Sequence, residues 1–148
     1  MVKATAARDA QVEVKHGFPS RRPGILVVDD EDSIRGFLQI VLERQGFDVW
    51  LAADGFQASK LYDRFRSQID LVLLDVRMPG WDGPRTLAEL RRRNPDLPCC
   101  FMTGHAGEYS ERQLLALGAS RVFAKPFALA SVRTALWELA AKAELQGV

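Results

Sequence analysis

Five residues able to do chemistry stand at the ends of strand-like runs. Asp29 and Asp30 follow Ile25–Val28, Asp75 follows Leu71–Leu74, Thr103 follows Pro98–Met102, and Lys125 follows Arg121–Ala124. Carboxylates gathered in one place repel and raise each other's pKa. A divalent cation removes that conflict, and hard oxygen donors suit Mg²⁺, which takes one or two carboxylates plus a phosphate. A hydroxyl and an ammonium opposite them supply a hydrogen-bond donor and a point cation. Such a set can hold a phosphoryl group and spread its charge over fixed positive partners. Asp75 is then the natural nucleophile, since carboxylates form aspartyl-phosphates. Singly, each residue has a plainer reading: an Asx turn or helix cap for the acids, a turn for Thr103–Gly104, a solvated lysine before Pro126. Those readings lose ground together if all five meet at one sheet edge.

The surrounding pattern brings them there. Ile25–Val28 is continuously apolar, as in a strand buried on both faces. Ile34, Phe37, Leu38, Val41 and Leu42 follow the spacing of one helical face, with Asp32 or Ser33 as the expected cap and Gly46 as the stop. Asp48–Ala52 reads as a second strand. Asp54 and Gln57 resemble a capping box for a helix bearing Ala58, Leu61, Tyr62 and Phe65. Ile69 and Leu71–Leu74 form the third strand. A loop, Val76–Gly83, precedes a helix with Pro84 in first position, running to about Asn94. Pro98–Met102 is the fourth strand. Ser110 and Gln113 form a second capping-box candidate, for a short helix stopped by Gly118, and Arg121–Ala124 is the fifth strand. A last helix carries Leu129, Val132, Leu136, Leu139 and Ala143. Five strands alternating with five helices predict an α/β, three-layer sandwich with a parallel sheet and right-handed crossovers. Sites in such sheets lie beyond the carboxyl ends of the strands, which is where the five residues fall.

Composition agrees with a single folded domain. The chain has 148 residues, 47% hydrophobic and 26% charged, with a net charge of +1. That balance argues against a dedicated nucleic-acid binder. No apolar run has the length of a membrane span, and residues 1–20 lack the apolar segment of a secretory signal. The reading is cytoplasmic, with Cys99 and Cys100 as reduced thiols on opposite faces of one strand. Residues 1–23 carry a charge of +3 and residues 24–148 a charge of −2, so the first segment is read as a flexible tail outside the core. Within it, Gln11–Lys15 alternates weakly like a strand. Arg91–Arg93 is read as the solvated end of a helix, favoured by the dipole there.

Four segments carry a resemblance: VVDDE at Val27–Glu31, LLDVRMPGWDG at Leu73–Gly83, MTGHA at Met102–Ala106 and AKPF at Ala124–Phe127. In order and spacing they resemble the receiver domain of two-component response regulators, over about residues 24–146. The resemblance implies a flavodoxin-like fold with strand order 2-1-3-4-5. It implies Asp75 as phosphoacceptor and Mg²⁺, with Mn²⁺ able to substitute, held directly by Asp30 and Asp75, through water by Asp29, and by the backbone carbonyl of Arg77. Thr103 and Lys125 would bind the phosphoryl group, and Lys125–Pro126 would be cis. The donor would be a sensor histidine kinase or a histidine phosphotransfer protein. Phosphorylation would switch an unknown downstream protein, or a homodimer through the fourth helix, fifth strand and fifth helix, without direct DNA or membrane binding. The chain would be a stand-alone regulator without an output domain, catalysing only its own modification.

The sequence departs from the family pattern at the position three before the lysine, where an aromatic is usual and Val122 stands. Phe123 is adjacent but points to the other side of a strand. Arg77 and His105 occupy positions that in the family border the phosphoryl group and influence its lifetime. Trp81 either reports on cation binding or covers its loop. A haloacid-dehalogenase-type phosphatase would need a second acid where Arg77 stands, and a flavin carrier would meet repulsion from Asp29, Asp30 and Glu31. The remaining alternative is a pseudo-receiver that binds partners without phosphorylation.

Overall fold

The computed structural model describes residues 21–104, 109–126 and 128–147. The expected tail strand at Gln11–Lys15 and His105 lie outside the described residues. Five parallel strands form one sheet in the order β2-β1-β3-β4-β5. They are β1 Gly24–Val28, β2 Asp48–Ala52, β3 Leu71–Asp75, β4 Cys99–Thr103 and β5 Arg121–Ala124. The helices are α1 Asp32–Arg44, α2 Gly55–Phe65, α3 Gly83–Arg93, α4 Glu111–Ala116 and α5 Leu129–Gly147, with a 3₁₀ turn at Arg66–Gln68.

The alternating side chains of the strands divide the core in two. Leu26, Val28, Val72, Leu74 and Phe101 face α2, α3 and α4, meeting Tyr62, Leu87, Leu90 and Leu114. Ile25, Val27, Leu71, Leu73 and Met102 face α1 and α5, meeting Leu38, Leu42, Val132 and Leu136. β1 and β3 are buried throughout, the reason their sequences are unbroken apolar runs. Cys99 and Cys100 fall in opposite clusters, and burial pushes both thiols up to about 12. Neither offers a thiolate near neutral pH.

Several boundaries differ from the pattern reading. Ile69 is buried but outside β3, because the chain first makes the 3₁₀ turn and Asp70 then accepts from Gly24 N and Arg21. β4 starts after Pro98 and includes Thr103. α1 is capped by neither Asp32 nor Ser33: its N-cap is Glu31, without a side-chain bond, and the Asp32 carboxylate is taken by Arg35. α3 begins at Gly83, where Asp82 accepts from Arg85 N at 2.9 Å. The Ser110–Gln113 box is complete, whereas Gln57 reaches back to Ala53 N instead of the cap residue Asp54. Phe37 belongs to the apolar stripe of α1 yet is 51% exposed, and Leu129 is exposed too, since the sheet covers only the centre of each stripe. Arg91 and Arg93 are not simply solvated. Arg91 donates to the carbonyls of Leu97 and Gly118, and Arg93 pairs with Asp63, tying α3 to β4, α4 and α2.

The loop from β3 to α3 depends on one glycine. Gly83 N donates to Val76 O at 2.8 Å, folding the loop back under the end of β3. A Cβ on Gly83 would lie 2.6 Å from the Asp75 carbonyl oxygen and 2.8 Å from Val76 Cα. Both are backbone atoms, so neither can step aside. Gly83→Ala is expected to lower stability by about 1–3 kcal/mol, as overpacking does, read by urea unfolding. An unchanged midpoint would show that the loop relaxes freely.

Candidate functional site

Parallel strands entering from one side deliver their C-terminal residues to one edge. Asp29 continues the β1–β2 ladder, its N–H donating to Ala52 O at 3.1 Å. It is 0% exposed, and its Oδ1 accepts from Glu31 N at 2.9 Å. Asp30 turns outward and is exposed. Asp75, 7% exposed, ends β3 one strand away from Asp29. One carboxylate oxygen from each of the three lies within 4.8 Å of the others.

Lys125 reaches this cluster from the end of β5, two strands from β3. Its Nζ lies 3.4 Å from Asp29 Oδ2 and 3.5 Å from Asp75 Oδ1. Its own N–H donates to Thr103 O at 2.8 Å, and the Lys125–Pro126 bond is cis. Thr103 ends β4, half-buried, in the strand between those of Asp75 and Lys125. The structure thus gathers Asp29, Asp30, Asp75 and Lys125, with Thr103 on the same sheet edge. Arg77 is exposed two residues beyond Asp75.

The charges are in tension. Burial pushes the Asp75 carboxyl up to about 6, Asp29 and then Asp30 push the same way, and Lys125 only partly offsets them. Burial alone would lower the Lys125 pKa, but Asp75 and Asp29 outweigh it and hold the ammonium above its ordinary value. One lysine does not neutralise three acids. The donor set is hard, anionic and open to solvent at Asp30, which fits Mg²⁺.

Other groups frame the site. Val122 packs with the α2–α4 side of the core and Phe123 with the α1–α5 side, so Phe123 does not replace the missing aromatic. Trp81 covers its loop, edge-on to Phe56 of α2 at 5.7 Å with the Arg85 guanidinium over its ring at 4.7 Å. Lys125, Pro126, Ile34, Phe37, Leu38 and Leu129 line an apolar groove of about 570 Å³ beside the acids. Two features escaped the sequence reading. One is the close approach at Gly83. The other is Arg35, whose only signal was its i,i+3 spacing from Asp32.

The arrangement agrees with comparison to known proteins. Residues 25–137 match the response regulator receiver domain model, and the chain belongs to that family, a receiver domain of two-component systems. It is 34% identical over 137 residues to sensor kinase CckA of Brucella abortus, covering 93% of this chain and 14% of that protein. It is 36% identical over 121 residues to the alkaline phosphatase synthesis transcriptional regulatory protein PhoP of Bacillus subtilis, covering 82% and 50%. The chain therefore spans half or less of the length of these relatives. A chain of the CheX–CheY–BeF3–Mg²⁺ complex from Borrelia burgdorferi superposes with a TM-score of 0.75 at 25% identity, covering 84% of this chain and 96% of that one. Receiver domains bind Mg²⁺ at an acidic pocket, interact with histidine kinases and downstream partners, and are not independent enzymes. Among the described residues no helix is long and apolar enough to cross a membrane.

The raised Asp75 pKa has a consequence for the metal-free protein. Its folded value, about 6, exceeds the ordinary 3.8, so the ionised carboxylate costs stability above pH 6, and that cost fades as pH falls toward 4. Asp75→Asn is expected to unfold at higher urea than the wild type at pH 7.5 in EDTA, by up to about 3 kcal/mol. The difference should shrink toward zero near pH 4 and, with Mg²⁺ at pH 7.5, through stabilisation of the wild type alone. A variant less stable than wild type at pH 7.5 contradicts this account.

Proposed function

We propose that the chain is a phosphorylation-switched signalling protein that accepts a phosphoryl group on Asp75. The observation that carries this reading is the cluster of Asp29, Asp30 and Asp75 within 4.8 Å, with Lys125 bonded to its two buried members. Asp30, Asp75 and the Arg77 carbonyl would hold Mg²⁺, with Asp29 acting on it through water. The cation, when bound, offsets the acids and the charge of the incoming phosphoryl oxygens. Asp75 Oδ attacks phosphorus as the bond to the donor's histidine nitrogen breaks, and the imidazole leaves with that electron pair. Lys125 and Thr103 bind the phosphoryl oxygens. Water later attacks the acyl phosphate, releasing inorganic phosphate and the free carboxylate.

A histidine kinase or histidine phosphotransfer protein is the donor, in the cytoplasm. The receiver unit is residues 24–148. The new charge draws Thr103 toward it and alters the face formed by α4, β5 and α5, which contacts a downstream protein or a second copy rather than DNA. With Val122 in place of an aromatic, that change begins at Thr103. Loss of phosphorylation chemistry, as in a pseudo-receiver, is disfavoured because all five residues are retained.

Incubation with acetyl phosphate and Mg²⁺ is expected to add the mass of one phosphoryl group, and BeF₃⁻ to change Trp81 emission. Asp75→Ala or EDTA should abolish both. A folded protein giving neither response overturns the phosphoacceptor reading in favour of the pseudo-receiver.

Arg77, two residues beyond Asp75, is the described residue placed to border the phosphoryl group. The exposed Arg77 guanidinium pairs with it and hinders water. Arg77→Ala should shorten the aspartyl-phosphate lifetime by up to about fivefold, the worth of an exposed ion pair. Dephosphorylation at the wild-type rate removes Arg77 from this role.

A further inference from the structure

β1 runs out into four consecutive acids, Asp29 to Asp32. At the start of α1 the N-cap residue, Glu31, makes no side-chain cap bond. Arg35, in the first turn of α1, closes the turn between β1 and α1. One guanidinium nitrogen donates to the Asp29 carbonyl at 2.6 Å, and the other donates to the Asp32 carboxylate. The Arg35 side chain is 16% exposed, so its bond to the Asp29 carbonyl is partly buried, while the Asp32 carboxylate lies in solvent. Asp29 Oδ1 meanwhile holds Glu31 N at 2.9 Å. The backbone is thus pinned on both sides of Asp30, the outward carboxylate of the cluster.

We infer that Arg35 is a positioning residue that gives the three-carboxylate site its preference for a small cation, Mg²⁺ over Ca²⁺. The inference rests on the reading that these acids hold Mg²⁺. Mg²⁺ demands near-octahedral oxygen ligands at about 2.0–2.1 Å, whereas Ca²⁺ accepts longer, irregular ligation at about 2.3–2.6 Å. A turn free to open would lose the first geometry and keep the second. A planar guanidinium can serve two acceptors at fixed angles, and an ammonium on a flexible stem cannot reproduce that fork. The charge of Arg35 acts in the opposite sense. It repels a cation, so if charge were its whole contribution, removing it would tighten Mg²⁺ binding.

The test is calorimetric titration of the full chain with Mg²⁺ and, separately, Ca²⁺, for wild type, Arg35→Lys and Arg35→Ala. Both variants should bind Mg²⁺ about tenfold more weakly, the usual loss for a residue that orients metal ligands, with Ca²⁺ affinity nearly unchanged. Arg35→Lys keeps the charge and serves if Arg35→Ala does not fold. Mg²⁺ affinity that is unchanged or tighter in either variant overturns the inference. So does equal weakening toward both cations, which marks loosening without selectivity. A wild type that binds neither cation overturns the metal reading itself, an outcome separate from any effect at Arg35.

Discussion

Repulsion among three carboxylates at the end of a buried sheet is the constraint on which this molecule turns. Asp29 and Asp75 are carried there by the two strands buried on both faces, where side chains have little freedom to move apart. Solvent cannot screen them well, and Lys125 offsets only part of the charge. The metal-free site is therefore held under electrostatic load by the hydrophobic core around it. Such a site favours whatever brings positive charge, because the acids are costly without it.

The rest of the architecture maintains that load. α1 and α5 cover one face of the sheet, while α2, α3 and α4 cover the other, so β1 and β3 stay dry along their length. The return of the β3–α3 loop through Gly83 keeps the chain compact immediately beyond Asp75. Arg91 and Arg93 bind the far end of α3 to its neighbours and leave the loop at the near end to carry site residues. Trp137 of α5 donates to Gln45 O at 3.0 Å beside Gly46, whose φ of 105° ends α1. These fastenings lie away from the acids.

The asymmetry of the rim also has a physical origin. On one side of Lys125 the surface is apolar, because α1 and the start of α5 carry more hydrophobic residues than the sheet can cover. On the other side, Trp81, Phe56 and Arg85 form an edge-to-face aromatic and cationic cover over the loop after Asp75. The acids therefore open between two surfaces of different character.

Much was legible in the sequence because parallel α/β folds write their order locally. Unbroken apolar runs marked β1 and β3, 3.6-residue periodicity marked α1 and α5, and Ser110 with Gln113 announced α4. Once strands alternate with helices, handedness sends every strand end to one edge, so Asp29, Asp30, Asp75, Thr103 and Lys125 could be grouped before any coordinates. What remained hidden depends on contacts between segments distant in the chain or on competition for one group. Ile69 reads as strand until the turn at Arg66–Gln68 shows that the chain is still arriving. Asp32 reads as a cap until Arg35 is seen to hold it. Gly83 looks like any loop glycine until the Asp75 carbonyl lies against it, and Phe37 looks like core until the sheet proves too narrow. The sequence by itself determined which residues meet, because periodicity and crossover handedness are local rules. Only the tertiary structure decided how tightly they are held, because clearance, burial and the choice among hydrogen-bond partners exist only once the layers have closed.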